Sequence, residues 1–323
     1  MENRFNLIDE AWIPVADCGR VSLRQIFIDP HLRKLGGNAV QKIALTKLLL
    51  AIAQSAATPE DDNAWREMGW QGMADKCLSY LDKWHDRFYL YGEQPFLQMP
   101  TIHAAALKTL GVVSPEISTG NTTVLTQSQQ EQYATDADKA VTLVVQMAFG
   151  LSGKKTDNGV VLTPGYMGKQ NEKGKSASGK AGSAVGHMGL LHSFWLRNAI
   201  VESIWLNLFT REDIAELVMY PSLGVAPWEQ MPTGEDDEIA RALKASLMGR
   251  LVPVGKFCLL ADTGLHYSDG IAHAGYLEGK ADPTVSVDFA PKKPAVLRVN
   301  PGKPPRREIT SIHQLIEQGN ASG

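Results

Sequence analysis

A forty-residue segment from Gly150 to Gly189 constrains the fold of this chain more than any other feature of the sequence. It contains ten glycines and six lysines, against two acidic residues, Asp157 and Glu172. A segment this polar cannot bury itself, so the folded body must come from the residues on either side of it. Glycine lets the backbone approach a ligand closely, and lysine without carboxylate partners suits a phosphate backbone. Composition leaves two alternatives open, a solvated disordered loop or a loop that binds nucleic acid.

The remaining composition is that of a globular protein with a sizeable core. The chain has 323 residues, of which 44% are hydrophobic and 21% charged. The net charge of −3 is unevenly distributed along the chain. The segment 150–189 is basic, whereas residues 235–238 form an acidic run. A local basic patch can therefore still bind nucleic acid.

The cysteine content and the hydropathy of the chain indicate the cellular compartment in which it acts. Three scattered cysteines and the absence of a CxxC pair predict a reducing compartment without disulfides or a thiolate zinc site. The first fifteen residues carry charges and lack an apolar signal core, and no run of eighteen apolar residues occurs. We expect a cytoplasmic protein that does not cross a membrane.

Periodicity predicts a mixture of helices and short strands. The predicted strands are 5–8, 12–15, 19–23 and 88–91, with a hairpin over 249–269 that turns at Asp262–Gly264. The predicted helices are 39–57 with Asn38 as N-cap, 62–86 with a break near Gly69 and Gly72, 135–149, 190–209 and 238–248. The elements do not alternate as regular βαβ units, so the pattern favours an α+β fold.

One motif in the basic segment resembles a nucleotide-binding loop. Residues 174–181 read GKSASGKA and nearly match the P-loop pattern GxxxxGK[ST]. Ala181 stands where a Ser or Thr must bind magnesium, and no buried strand precedes the loop. A polynucleotide backbone needs no such metal, so the same residues still suit nucleic acid.

The search for catalytic residues finds no supported constellation. The eight histidines include no HExxH motif, and the serines of the basic segment lack a rigid setting with a nearby base. The seven tryptophans fall mostly at apolar helical positions, which favours core packing over base stacking. We therefore expect a binding subunit without catalysis, metal or cofactor.

Three blocks of sequence resemble one known family. They are FNLIDEAWIPV (5–15), FYLYGEQPFLQ (88–98) and the stretch from FCLLADTGLHYSDG to TVSVDF (257–289). In order and spacing they are similar to the CasA family, the large subunit of Cascade, the type I-E CRISPR surveillance complex. The resemblance extends over nearly the whole chain, and the first two blocks together are fairly specific.

The resemblance implies a fold, a function and partners. CasA proteins have a mixed α/β N-terminal domain followed by a C-terminal four-helix bundle. The family binds other Cascade subunits and crRNA, recognises the protospacer-adjacent motif in double-stranded target DNA and promotes duplex opening, which forms the R-loop. It also recruits a helicase-nuclease and has no catalysis of its own. Guide–target pairing reads the rest of the sequence.

The resemblance also implies three functional segments. A loop at the crRNA handle and backbone subunits matches Asn121, Thr122, Thr123 and Val124. A glycine loop that approaches the motif from the minor groove has two candidate clusters here: Gly150, Gly153, Lys154 and Lys155, or Gly179, Lys180 and Gly182. A wedge that separates the first base pairs matches the turn after the hairpin: Ile271, Ala272, His273 and Ala274.

The chain departs from the family in two respects. The wedge turn contains no glutamine, which is the residue associated with the wedge in this family. The chain also stops where the four-helix bundle should begin. We therefore expect residues 1–323 to form one CasA-type N-terminal domain, with the wedge in the strand region 250–300 and without the bundle, through truncation or replacement by another subunit.

Two other functions compete with motif recognition. The near P-loop at 174–181 would suit a nucleotide-binding enzyme. Alternatively, the chain could be a structural scaffold that contacts only protein subunits.

Overall fold

The structure is a computed structural model. It describes residues 2–113, 134–151, 156–157, 159–166, 184–185, 191–216, 222–273, 284–288 and 295–297.

Helices supply most of the regular structure in these ranges. In chain order they are α1 (Leu23–Ile28), α2 (Ala39–Ala57), α3 (Asp62–Lys83), α4 (Leu110–Val113), α5 (Asp136–Ala148), α6 (Ile200–Leu206), α7 (Arg211–Glu216), α8 (Glu238–Lys244) and α9 (Met248–Leu251). Short 3₁₀ helices cover His85–Arg87 and Pro100–Ala104. No helix in the described ranges has both the length and the apolarity that crossing a bilayer requires.

The strands form small separate sheets. They are β1 (Arg4–Asn6), β2 (Ile13–Val15), β3 (Gly19–Val21), β4 (Tyr89–Tyr91), β5 (Leu107–Lys108), β6 (Gly150–Leu151), β7 (Ala184–Val185), β8 (Lys256–Ala261), β9 (Gly264–Asp269), β10 (Val287–Asp288) and β11 (Ala295–Val296). Antiparallel pairs join β1 to β4, β2 to β3 and β10 to β11, while β5, β9 and β8 form a three-stranded sheet. Only β6 and β7 pair in parallel among the described strands. The α+β prediction is confirmed.

Helix α2 lies at the centre of the core. Asn38 accepts a hydrogen bond from the Gln41 backbone at 2.9 Å, and the Gln41 side chain accepts one from Asn38 N at 3.2 Å. This capping box fixes the predicted N-terminus. From Ala44 onward most of the helix is buried, because α3, α5 and α6 pack around it. Its apolar residues therefore cover nearly the whole circumference rather than one stripe.

Helix α3 is kinked where the sequence predicts a break. Gly69 has φ +60°, a left-handed conformation that side chains rarely adopt. The helix ends at Lys83, three residues before the predicted end at Asp86, and a 3₁₀ turn follows.

The predicted helix over 190–209 is wrong in its first half. The described residues before Ile200 are not helical, and only Ile200–Leu206 forms α6. Leu191 and Ser193 instead form backbone hydrogen bonds with Ser286 and Thr284. Apolar periodicity could not reveal these partners about ninety residues away.

The predicted helix over 238–248 is two helices. Helix α8 ends at Lys244, and α9 begins at Met248. Between them Leu247 N donates to Ser222 O at 3.0 Å, and Met248 N donates to Leu223 O at 2.8 Å. These bonds to a distant segment replace the continuation of α8.

The prediction that tryptophans pack in the core holds for six of the seven. Trp12 and Trp228 are buried, and Trp65, Trp70, Trp84 and Trp205 are half-buried. Trp195 is the exception, because 75% of its surface is exposed. It lies in the non-helical segment before α6.

Gln98 links the strand pair β1–β4 to the three-stranded sheet. Its side-chain amide donates to Leu90 O at 2.6 Å and accepts from Leu260 N at 2.8 Å. Gln98 is buried, so water cannot replace these two bonds. The side chain therefore connects the backbones of β4 and β8 by hydrogen bonds.

We predict that Gln98→Ala lowers the free energy of unfolding by about 3 kcal/mol, because two buried backbone groups lose their partner. Gln94, four residues earlier and exposed, provides the matched control. Gln94→Ala should change stability by less than about 0.5 kcal/mol. Urea denaturation of the three chains measures both values, and equal effects of the two substitutions would refute the linking role of Gln98.

Candidate nucleic-acid interface

The two ends of the glycine–lysine segment meet in the structure. Helix α5 ends at Ala148, and β6 then pairs with β7, Gly150 opposite Ala184 and Leu151 opposite Val185. Both candidate clusters for the glycine loop lie within five residues of this pair in the sequence. Gly150 itself is in β6, whereas the other cluster members lie outside the described residues: Gly153, Lys154, Lys155, Gly179, Lys180 and Gly182.

A buried carboxylate holds residues 162–163 of this segment. Glu235 is fully buried, and its oxygens accept hydrogen bonds from Leu162 N at 3.0 Å and Thr163 N at 2.8 Å. Asp236 N donates to the Thr163 hydroxyl at 3.2 Å. A Cβ on Gly234 would lie 2.1 Å from that hydroxyl, so only glycine fits beside it. The anchor gives residues 162–163 a fixed place on the folded body.

Other residues of the acidic run 235–238 also make specific contacts in the fold. Asp236 forms ion pairs with Lys244 at 2.9 Å and Arg241 at 3.2 Å. The hydrogen bonds from Lys244 and Arg241 hold the pKa of Asp236 below its usual value. Asp237 caps helix α8 by accepting from Ala240 N at 2.7 Å.

A second anchor fastens the start of the segment to the hairpin. Asp157 N donates to Tyr267 O in β9 at 3.0 Å, and the Asp157 carboxylate accepts from Ala106 N at 3.0 Å. The carboxylate also accepts from Gly159 N at 3.0 Å. Asp157 therefore fixes residues 157 and 159 beside the sheet that precedes the wedge turn.

The residues that follow the segment pair with those that follow the wedge turn. Ser193 N donates to Thr284 O at 2.8 Å, Ser286 N donates to Leu191 O at 2.8 Å, and the ring nitrogen Nδ1 of His192 lies 2.8 Å from the Thr284 hydroxyl. The His192 ring also packs edge-on against Phe149, with 5.6 Å between ring centroids. We call residues 149, 191–193 and 284–286 the junction. It brings together residues that flank the glycine–lysine segment on both sides and residues that follow the wedge turn in the sequence.

The described wedge candidates divide into buried and exposed residues. Ile271 and His273 are each only 3% exposed, whereas Ala272 is exposed. Ile271 N donates to Val254 O at 3.0 Å, and His273 Nε2 lies 2.6 Å from Pro253 O. In this conformation Ile271 and His273 hold the start of the turn against residues 253–254, and Ala272 faces solvent. Ala274 lies outside the described ranges.

The protonation state of His273 follows from these contacts. Burial lowers the pKa of His273 to about 4; the nearby charges of Arg250, Lys244 and Lys47 lower it too, while the bond to Pro253 opposes the shift. The ring is therefore neutral at pH 7. A carbonyl oxygen can only accept, so the ring proton must sit on Nε2 and point at Pro253.

The other predicted sites lie outside the described ranges. These are the crRNA-handle loop Asn121, Thr122, Thr123 and Val124, and the near P-loop 174–181. Within the ranges the structure describes, no group of three or more His, Cys, Asp or Glu side chains could hold a metal ion.

Comparison with known proteins gives the family. The family model for CRISPR-associated protein Cse1 matches residues 6–321, which is nearly the whole chain. The chain belongs to the Cse1 family, also called CasA. The predicted family is therefore confirmed.

Individual relatives agree with this assignment. A CasA/Cse1 protein of Thermus thermophilus is 33% identical in an alignment of 164 positions that covers 46% of this chain and 32% of that protein. The crystal structure of Thermobifida fusca Cse1 has a TM-score of 0.70 at 22% identity, over 93% of this chain and 60% of that one. A chain of a CRISPR RNA-guided surveillance complex has a TM-score of 0.61 at 18% identity, over 95% and 64% of the two chains.

The coverage limits what these likenesses establish. This Cse1 chain spans about 60% of the length of the solved relatives it matches. The mixed fold agrees with the predicted CasA-type domain. At these identities the solved structures establish the fold alone.

We predict that Glu235→Gln speeds trypsin cleavage at the lysines of the glycine–lysine segment about tenfold. The amide has one acceptor oxygen where the carboxylate has two, so an anchoring bond to Leu162 or Thr163 is lost, and local opening becomes easier. Glu238→Gln is the matched control, because Glu238 is the exposed acid of the same run. Mass spectrometry of the early fragments measures the rates, and unchanged cleavage in Glu235→Gln contradicts the anchor.

We predict that His273 makes the folded state lose stability in acid. Its pKa is about 4 in the folded chain and near 6.5 when unfolded, so the unfolded state binds more protons between these values. The contribution is complete above about pH 6.5 and is lost as the pH falls towards 4, by about 3 kcal/mol.

Urea denaturation from pH 7.5 to 4 tests this prediction. His273→Gln should show a shallower pH dependence than the parent, and His31→Gln, at an exposed position, should match the parent. Identical slopes for the parent and His273→Gln would show that the ring titrates normally.

Proposed function

We propose that this chain is the large subunit of an RNA-guided Cascade complex that recognises the protospacer-adjacent motif in duplex DNA. The junction supports the proposal, because it joins residues that flank the glycine–lysine segment to residues that follow the wedge turn in the sequence. Family membership supports the same role, and one solved structure of similar fold is a chain of a CRISPR RNA-guided surveillance complex. The chain itself is non-catalytic in this proposal and acts in the cytoplasm.

The glycine–lysine segment supplies the motif contact. Backbone at glycine can enter a narrow minor groove where a side chain cannot, and readout there is degenerate, which suits a short relaxed motif. The lysines of the two clusters neutralise phosphates on either side of the groove. Because β6 and β7 pair, both clusters start from one point, and both can belong to the same interface.

The wedge turn opens the duplex beside that contact. His273 and Ile271 hold the turn to Val254 and Pro253. Ala272, which is exposed between them, can then approach the base stack from a fixed support. A small residue at the tip separates base pairs by occupying space, since this turn has no glutamine.

The remaining partners follow from the family. Residues 121–124 contact the crRNA handle and the neighbouring subunits, and the assembled chain recruits the helicase-nuclease once the R-loop has formed. Guide–target pairing supplies the sequence specificity beyond the motif.

The nucleotide-binding alternative has a direct test. ATP binding by the chain that is lost in Lys180→Ala would support the near P-loop. The scaffold alternative predicts a complex whose target binding is indifferent to changes in this chain.

We predict that reversing Lys154, Lys155 and Lys180 to Glu weakens target-duplex binding by the assembled complex and flattens its salt dependence. Three lost phosphate contacts reduce the slope of log affinity against log salt by about 3. Lys76→Glu, an exposed lysine on α3, is the control and should keep most of the slope. Titrations at several salt concentrations measure it, and a triple variant with the parental slope would exclude these lysines from the interface.

A further inference from the structure

A cleft separates the strand pair β1–β4 from the three-stranded sheet of β5, β9 and β8. Its volume is about 830 Å³. Residues 2–4 and 90–93 line one wall, and residues 259–262 line the other. The buried side chain of Gln98 lies between the walls and bonds to the backbone of both. The cleft is therefore preformed, and its volume is in the range of ligand-binding sites.

Strand β8 presents an unpaired backbone edge to the cleft, because in an antiparallel pair every second residue points its backbone groups away from the partner strand. Cys258 is such a residue, since its carbonyl oxygen accepts from Met99 N at 2.9 Å. Leu260 is the next, since its N donates to the Gln98 side chain at 2.8 Å. The carbonyl oxygen of Leu260 therefore points to the same side, where no described residue donates to it. Such an edge can accept a further extended strand.

The rim of the cleft carries carboxylates that have no cationic partner. Glu2, Glu93 and Asp262 line the cleft and are exposed. None of the three forms an ion pair with a residue that the structure describes. Such a rim repels phosphates, so nucleic acid is a poor occupant, whereas it attracts lysine and arginine side chains.

The cations beside the cleft are already engaged within the chain. The guanidinium of Arg4 lies 4.2 Å from the centre of the Tyr91 ring and 3.6 Å from the carboxylate of Asp136. Lys139 is buried, and its ammonium donates to the backbone oxygen of Asp262 at 3.1 Å. The rim therefore keeps an excess of negative charge that an occupant can neutralise.

We propose that this cleft binds an extended, basic segment of a neighbouring protein subunit in the assembled complex. The inference rests on the proposed function, in which the chain has partner subunits, and it adds a docking surface to that function. The segment continues the sheet by donating a backbone N–H to Leu260 O, and its lysine or arginine side chains meet the carboxylates of the rim. The backbone bond suits any extended chain, whereas the rim selects a positively charged one.

The first test measures incorporation of the chain into the complex of guide RNA and partner subunits. Glu2→Lys combined with Glu93→Lys should weaken incorporation about tenfold, because the reversed charges repel the basic segment. The difference from the parent should shrink at high salt, which screens exposed charges. Glu10→Lys combined with Glu67→Lys changes the net charge equally at exposed positions outside the cleft and should incorporate like the parent. Parental incorporation of the cleft variant, or an equal loss in both variants, would overturn the inference.

A second test identifies what lies in the cleft. The chain carries Glu93→Cys and Cys18→Ser, so that benzophenone maleimide labels position 93, since Cys77 and Cys258 are buried. Irradiation of the assembled complex should link the probe to one lysine- or arginine-rich peptide of a partner subunit, which mass spectrometry identifies. The same label at Glu67→Cys should not link to that peptide. Cross-links to RNA or DNA, or to no partner, would overturn the inference.

Motif preference distinguishes failure of this inference from failure of the proposed function. If the parent chain adds affinity to the complex only on the correct motif, while the cleft variant incorporates normally, only the docking surface is wrong. If the parent chain does not join such a complex, the proposed function falls and the docking surface with it.

Discussion

Hydrogen bonds between residues 191–193 and 284–286 join the chain that follows the glycine–lysine segment to the chain that follows the wedge turn. The contact of His192 with Phe149 adds the residue that directly precedes the glycine–lysine segment. A long loop has a low entropic penalty for extra length but no fixed position of its own. The junction provides that position, and the contacts of Glu235 and Asp157 provide two more along the segment.

Buried polar side chains provide further anchoring in addition to the backbone bonds of the junction. Gln98, Glu235 and His273 are buried, and each bonds to the backbone of a segment distant from it in sequence or outside regular structure. Burying a polar group is unfavourable unless its partners are present, so each of these groups favours one loop position over all others. The core of α2 and α5 supplies the stability, and these polar contacts select the conformation of the loops on its surface.

The sequence predicted those structural features that depend on neighbouring residues. The N-cap at Asn38, the break near Gly69 and Gly72 and the hairpin turn at Asp262–Gly264 were predicted from residues within or next to each feature, and the structure contains all three. The helix predicted over 190–209 failed because Asn207, Ser203 and Thr284 stabilise an extended backbone through tertiary contacts. The general prediction that tryptophans pack in the core failed at Trp195 for the same reason, since Trp195 lies in the part of that segment that is not helical.

The candidate site was less predictable than the fold. From the sequence, the acidic run at 235–238 was notable only for its charge, which is opposite to that of the basic segment. In the structure Glu235 is buried and bonds to Leu162 and Thr163. A single buried glutamate produces no periodic pattern in the sequence. Its role as an anchor is visible only from its hydrogen bonds to residues distant in the sequence. The alternation of Thr284, Val285 and Ser286 was a readable strand signal that could have pointed to the junction. The members of the two lysine clusters and the crRNA loop stay predictions, because they rest on the family resemblance.

The most direct test of the account is target-duplex binding by the reconstituted complex, with and without this chain, on DNA carrying a correct or a scrambled flanking motif. The account predicts that the chain adds affinity only on the correct motif. Equal added affinity on both duplexes, or none on either, would contradict motif recognition and favour the scaffold role.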